Sequence, residues 1–241
     1  MSVNVTLEAS PRHRLVLSHY APNEECQPHR HDRAQISLLL AGGYVEESEE
    51  GCARVDGPSL SRKPGGFEHQ NRFGEAGALI LSLNTDGTAA PDRYFVTRGP
   101  EGLVGHQLRR IANDGTAISA LAGDVPAGLS PVATPPSPWM TAARDRLLAD
   151  SGLNVGVLAR SLGLHPVRFA RLFREAFARS PTEARQNRRA AQAVDRLIRT
   201  RTALAEIAAE EGFADQAHLS RVINRTTGWS PGRLRRLFAG T

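Results

Sequence analysis

Lysine is almost missing from this chain: of 30 basic residues in 241, Lys63 is the single lysine and the rest are arginine. Cysteine is scarce as well. Cys26 and Cys52 are too few for a disulfide-built scaffold, and in a reducing compartment they would be free thiols. No run of about 18 apolar residues occurs, which excludes a membrane-spanning helix. Residues 1–8 have neither the basic stretch nor the apolar core of a secretion signal, so the chain is expected in the cytoplasm, with no membrane partner. What is present is a globular composition: apolar residues make up 40%, and the length suffices for two units that each bury a core.

Charge is segregated along the chain. From Ser137 onward 18 Arg stand against 9 Asp and Glu, a balance of +9, whereas the preceding part has 12 basic and 16 acidic residues, or −4. A basic half beside an acidic half is the pattern of a polyanion-binding domain joined to an unrelated one. Arginine suits that role through bidentate contacts to phosphate and to guanine edges. A genome rich in G and C accounts for the preference over lysine equally well.

Short β-type segments at residues 15–20, 35–40, 51–55 and 78–83, broken by Gly, Pro and acidic turns, predict a compact β unit. Residues 93–97 can add a strand, and 102–112 and 117–121 read as one or two short helices. Pro126, Pro131, Pro135, Pro136 and Pro138 then mark a semi-rigid stretch that resists helix and strand. We therefore expect a β domain at 1–124, a linker at 125–136 and a helical domain at 137–241.

In the helical part the caps are frequent. One helix is expected from Ser137 to Asp150, and Asn154 caps a second that ends before the Gly163 turn. His165-Pro166 opens a third. Ser180-Pro181-Thr182-Glu183 is a capping box that starts a long helix. Thr202 is expected to cap the fifth and Asp215 the sixth, and Ser230-Pro231 opens a last short one.

This punctuation repeats. Leu158-Ala159-Arg160-Ser161-Leu162-Gly163 returns 49 residues later as Ile207-Ala208-Ala209-Glu210-Glu211-Gly212, and Phe169, Leu172 and Phe173 return 50 residues later as Leu219, Val222 and Ile223. Pro181 and Pro231 keep the second offset. Helix, glycine turn and helix, each followed by Ser-Pro, is a duplicated helix-turn-helix.

Helical spacing assigns the faces. Phe169, Leu172, Phe173 and Ala176 are core, leaving Val167, Arg168, Ala170, Arg171 and Arg174 outward or on the flanks. In the second copy Leu219, Val222 and Ile223 are core, which leaves Gln216, Ala217, Ser220, Arg221 and Asn224. These ten are the expected base-reading residues. Arg can hold guanine, Gln and Asn suit adenine, and Val or Ala can touch a thymine methyl; a phosphate contact or a solvated face is the competing reading for each Arg.

On these residues the stretch from Ser137 to Thr241 resembles the AraC/XylS family of transcription regulators, most specifically at residues 204–222 and in Thr227-Gly228-Trp229-Ser230-Pro231. The resemblance implies DNA contacts at positions matching Val167, Ala170, Arg171, Gln216, Ala217 and Arg221, RNA polymerase as a partner, and homodimerisation through residues 102–121. Leu234 stands where the family has an aromatic.

In the β unit, His29-Arg30-His31 puts two imidazoles on one strand face and Gln35 shares their parity. His69 follows the Pro64-Gly65-Gly66 turn. With Gly42 this pattern resembles the two motifs of the cupins, implying a small β-barrel. The family's Glu is Gln35 here, and Asn23, Pro58 and Phe73 also depart from it. Three neutral imidazoles can hold Zn, Fe, Ni or Cu, with Gln35 as a weak fourth ligand; the alternative is a metal-free pocket in which they hydrogen-bond an effector. Cys26 reads as a small buried hydrophobe, with a soft ligand or thiol sensor as the alternative. The acidic run at 46–50 reads as a solvated hairpin tip.

The expected fold is thus α+β and multidomain: a cupin-like β-barrel followed by an all-α domain with two helix-turn-helix units. The expected function is a transcription regulator that binds double-stranded DNA and senses a small molecule or metal. A metal-dependent cupin enzyme fused to a DNA-binding domain is the alternative, and an effector-free architectural DNA binder is a third class.

Overall fold

The structure is a computed structural model that describes residues 2–86, 93–98, 130–131 and 136–240. The helices expected at 102–112 and 117–121, the dimer contact placed there, and most of the linker lie outside the described residues. Among the described residues nine strands, β1 (Val3–Ala9), β2 (His13–Tyr20), β3 (Glu25–Arg30), β4 (Ala34–Ser48), β5 (Gly51–Asp56), β6 (Ser59–Lys63), β7 (Glu68–Thr85), β8 (Phe95–Arg98) and β9 (Ser130–Pro131), form one sheet. All pairings are antiparallel.

The long strands β4 and β7 are the spine, paired from Ala34↔Thr85 to Ser48↔His69. Along its free edge β7 carries first β3 and then β2, while β4 carries β6 and then β5. Both strands bend sharply at one level. Gly42 and Gly77 have φ of +86° and +65°, and a Cβ on Gly42 would stand 2.0 Å from the Gly77 carbonyl oxygen, so only glycine fits. The bend curls the sheet into a bowl. Its pairing path ends at β1 and β9, which do not pair with each other among the described residues. The expected β domain is therefore present as an open, bent sheet, and among the described residues the expected closed barrel is not formed. Part of the proline-rich stretch, Ser130–Pro131, extends that sheet at its edge, where a residue without an N–H is tolerated.

Alternation gives the sheet two different faces. Leu15, Leu17, Ile36, Leu38, Leu79, Leu81 and Leu83 point to the convex side and are buried. The residues between them, such as Val16, Ser18, Gln35, Ser37, Ser82 and Asn84, line the hollow.

The seven helices of the C-terminal domain are α1 (Pro138–Ala149), α2 (Val155–Ser161), α3 (Pro166–Phe177), α4 (Pro181–Arg199), α5 (Leu204–Glu210), α6 (Gln216–Thr227) and α7 (Pro231–Phe238). Asn154, His165, Ser180, Asp215 and Ser230 cap as expected, and Glu183 completes the capping box. Thr202 does not. Ala203 holds the N-cap position of α5 without a side-chain bond, because Thr202 accepts a bond from Thr200 Oγ1 instead. The repeat is a repeat of structure: α2 and α5 have seven residues each, α3 and α6 twelve each. A duplicated arginine that the sequence patterns did not single out closes each unit. Arg185 donates to the carbonyls of Leu147, Asp150 and Leu153 at the end of α1. Fifty residues on, Arg235 donates to those of Leu197 and Thr202 at the end of α4. A cation there satisfies orphan carbonyls and opposes the helix dipole.

Helix α4 joins everything. Ala190, Ala191, Ala193, Val194 and Leu197 sit in one cluster with the convex face of the sheet and with Leu219, Val222, Ile223, Trp229 and Phe238 of the second unit. The first unit has its own core of Met140, Leu147, Leu158, Phe169, Phe173 and Phe177. It reaches the sheet through Arg144, 2% exposed, which pairs with Asp56 and with Asp145.

Replacing Arg185 or Arg235 by alanine is expected to destabilise the chain by about 1.5–3 kcal/mol each, the worth of charge-assisted hydrogen bonds whose carbonyl partners become unsatisfied. Urea unfolding measures it; unchanged midpoints would contradict the clamp.

Candidate nucleic-acid interface and ligand pocket

Helices α3 and α6 are the second helices of the two units. Burial of Phe169, Phe173 and Phe177 on one, and of Leu219, Val222 and Ile223 on the other, fixes their rotation. On α3, Val167 is 72% exposed, Arg168, Arg171 and Arg174 are exposed, and Ala170 is half-buried. On α6, Gln216, Ala217, Arg221 and Asn224 are exposed and Ser220 is half-buried. A valine so exposed at the head of a helix costs solvation unless it meets an apolar partner. Arg171 reaches Glu175 at 3.7 Å one turn on, a solvated pair worth little and easily exchanged for a stronger acceptor.

The other site is the hollow of the sheet, a cavity of about 540 Å³. The structure brings His29, His31 and His69 together there. His29 and His69 are directly paired on β3 and β7, ring centroids lie 4.5–5.4 Å apart, and one nitrogen of each falls within 4.8 Å of the others. Gln35 lines the same cavity, but its Nε2 donates to Asn84 Oδ1 at 3.1 Å. Burial, then the charges of His29 and Lys63, hold the His31 pKa at about 4. Burial, then Lys63 and His29, hold that of His69 at about 3. Both rings are neutral at pH 7.

Two residues central to this hollow escaped the sequence patterns. Glu46 was expected in a solvated hairpin tip, yet it is 1% exposed, because alternation along β4 turns Tyr44 and Glu46 inward; the turn itself begins at Glu49. Its partner is Lys63, also buried, with Nζ 2.8 Å from Oε2. The same oxygen is 3.9 Å from His69 Nε2. The signal available was that the chain's single lysine falls at the end of a strand and next to the Pro-Gly-Gly turn. Cys26 is half-buried beside Tyr20 and Phe73 and is absent from the histidine cluster. Burial, then Glu24, push its thiol pKa up, which removes the reactive thiolate a sensor needs.

The folded-state pKa values of His31 and His69 lie below the ordinary 6.5. The unfolded chain therefore binds more protons as the pH falls below about 6.5, and the stability these rings contribute above that pH is lost progressively toward pH 4 and 3. Thermal midpoints are expected to drop from pH 7.5 to 5, and to drop less in the His31→Gln/His69→Gln double variant; parallel curves would contradict the assignment.

Residues 158–237, which span both units of the repeat, match the family described as a helix-turn-helix domain. The arabinose operon regulatory protein of Escherichia coli (strain K12) is 36% identical over 88 residues, 36% of this chain and 30% of that protein. The protein of the same name from Salmonella typhimurium (strain LT2) is 36% identical over 88 residues, 36% of this chain and 31% of its own length. The chain thus spans about a third of the curated relatives it matches. Among solved structures, the C-terminal domain of AraT, a response regulator from Geobacillus stearothermophilus, is 25% identical with a TM-score of 0.38, over 43% of this chain and 88% of that one. A cupin domain from Bordetella pertussis is 16% identical with a TM-score of 0.32, over 36% of this chain and 94% of that one. The family match falls on residues 158–237, which hold both units of the repeat, and this part of the chain is similar to helix-turn-helix domains, with 36% identity to the arabinose operon regulatory proteins over 88 residues.

Proposed function

We propose that this protein is a sequence-specific transcription regulator that reads double-stranded DNA with α3 and α6 and responds to a ligand held in the hollow of its β domain. The observation that carries the reading is the repeat: two equal units, in register, each turning a polar helix face to solvent. In this reading Arg171 and Arg221 grip guanine O6 and N7, Gln216 and Asn224 meet adenine, and Val167, Ala170 and Ala217 meet thymine methyls. Arg168, Arg174 and Ser220 flank them and suit phosphates.

The histidine cluster serves the response. Three neutral imidazoles are donors for Zn, Fe, Ni or Cu, and a bound divalent cation would add a charged anchor for a ligand. The surroundings do not favour it. Glu46, the buried carboxylate beside His69, is neutralised by Lys63, whose ammonium lies close enough to depress both His31 and His69. Gln35 is turned to Asn84. His31 and His69, neutral at pH 7, act as hydrogen-bonding groups in the response.

Duplexes selected from a random pool are the substrate for the test. Arg171→Ala or Arg221→Ala is expected to weaken binding to the selected duplex by about 1–3 kcal/mol and to affect random DNA less. Equal losses on both would reduce these arginines to phosphate contacts.

A further inference from the structure

The hollow of the β domain is sensory in the proposed function, and the ligand class inferred from its lining rests on that reading. Among the described residues four cations line it, Arg14, Arg30, Arg33 and Lys63, against the single acidic residue Asp32. Three of them are answered: Arg30 by Glu68 at 3.6 Å, Arg33 by Asp86 at 3.0 Å and Lys63 by Glu46 at 2.8 Å. Arg14 is not. Its Nε and Nη2 donate to Thr6 Oγ1 at 3.2 and 2.8 Å, and among the described residues no acidic side chain lies within ion-pair distance of it. A guanidinium on a cavity wall with only a neutral hydroxyl for a partner is a place for a carboxylate, which it can take with two parallel hydrogen bonds.

The rest of the wall asks for hydroxyl groups. Ser18, Ser37 and Ser82 stand on the hollow face of three adjacent strands and are buried. Gln35 and Asn84 already bond each other. Asn71 Oδ1 is buried without a hydrogen-bond partner, and a buried acceptor left unpaired is one that a ligand donor can satisfy. Neutral His31 offers one donor and one acceptor, and His69, whose Nδ1 donates to the Phe67 carbonyl at 3.4 Å, offers its Nε2 as an acceptor. One side is flat and apolar, where Tyr20 stacks on Phe73 with ring centroids 4.0 Å apart. The volume suits a small molecule. A divalent cation meets the opposite conditions, an unanswered arginine and a buried ammonium.

We propose that the hollow of the β domain binds a small hydroxylated carboxylate, with Arg14 holding its charge and the serine, asparagine and histidine side chains holding its hydroxyls.

Calorimetric titration of the full chain with matched probes tests this: D-gluconate and D-glycerate against D-glucitol and glycerol, which keep the hydroxylated chain but lack the carboxylate. A carboxylate is expected to bind at least about tenfold more tightly than its uncharged match, a step worth about 1.4 kcal/mol. Arg14→Gln should abolish that preference while leaving binding of the uncharged probe and the thermal midpoint unchanged. Equal affinity within each pair, no binding by any probe, or a preference that survives Arg14→Gln overturns the proposal. So does stoichiometric uptake of Zn²⁺ or Ni²⁺ that is lost in His31→Gln and unaffected by gluconate. Affinity for the selected duplex is measured beside each titration. A carboxylate that binds through Arg14 without changing DNA affinity upholds the ligand class and refutes the sensory reading.

Discussion

Helix α4 lying on the convex face of the β-sheet is the contact on which the other features depend. Its alanines at 190, 191 and 193 let the helix approach the strands closely, and Val194 and Leu197 are sealed between the sheet and the second helix-turn-helix unit. Burying those two side chains alone contributes about 3–6 kcal/mol. The half-exposed pair of Arg188 with Glu75 across the same boundary adds at most about 1 kcal/mol. Apolar contact therefore sets the position of the second unit against the β domain. Polar groups refine it: Asn187 donates to the Gly42 carbonyl at 3.2 Å, and His19 meets Asp195 at 3.2 Å.

Because strands alternate, the strands that carry α4 on one face line the ligand hollow on the other. Leu38 and Leu81 belong to the helix side, while Ser37 and Ser82, one residue away on each strand, bond to each other at 2.9 Å on the hollow side. The Gly42 carbonyl that accepts from Asn187 belongs to the bend that shapes the hollow. In the proposed function, a ligand that alters the curl of β4 and β7 would act directly on the seat of α4, and through it on the spacing and tilt of α3 and α6. No separate relay is needed.

Much of this was legible in the sequence, for identifiable reasons. Helix ends were readable because side-chain caps are local: Asn154, Ser180, Asp215 and Ser230 each bond the amide two or three residues on. Thr202 failed because Thr200 competes for its hydroxyl. The three histidines were readable from parity and from the Pro-Gly-Gly turn. Glu46 and Lys63 were not, since their meeting depends on which way β4 faces after irregularities at residues 39–44, and an irregularity reverses parity without leaving a mark in composition. The clamps Arg185 and Arg235 were hidden among many arginines; only their separation of 50 residues, matched by that of their carbonyl partners Leu147 and Leu197, distinguishes them. The docking of α4 on the sheet was unreadable for a different reason. An alanine-rich face says that something packs closely, not what.

In the proposed function one chain presents two reading helices from a single rigid connector. Helix α4 has 19 residues, about 28 Å at about 1.5 Å per residue, which approaches the roughly 34 Å between successive major-groove faces. Hydroxyl-radical footprinting of a selected duplex by the full chain measures this directly. Two protected patches per bound chain are expected, centred about 10 base pairs apart on the same face of the helix, with one patch lost in Arg171→Ala and the other in Arg221→Ala. A single protected patch, or two patches on opposite faces, would contradict reading by two helices of one chain.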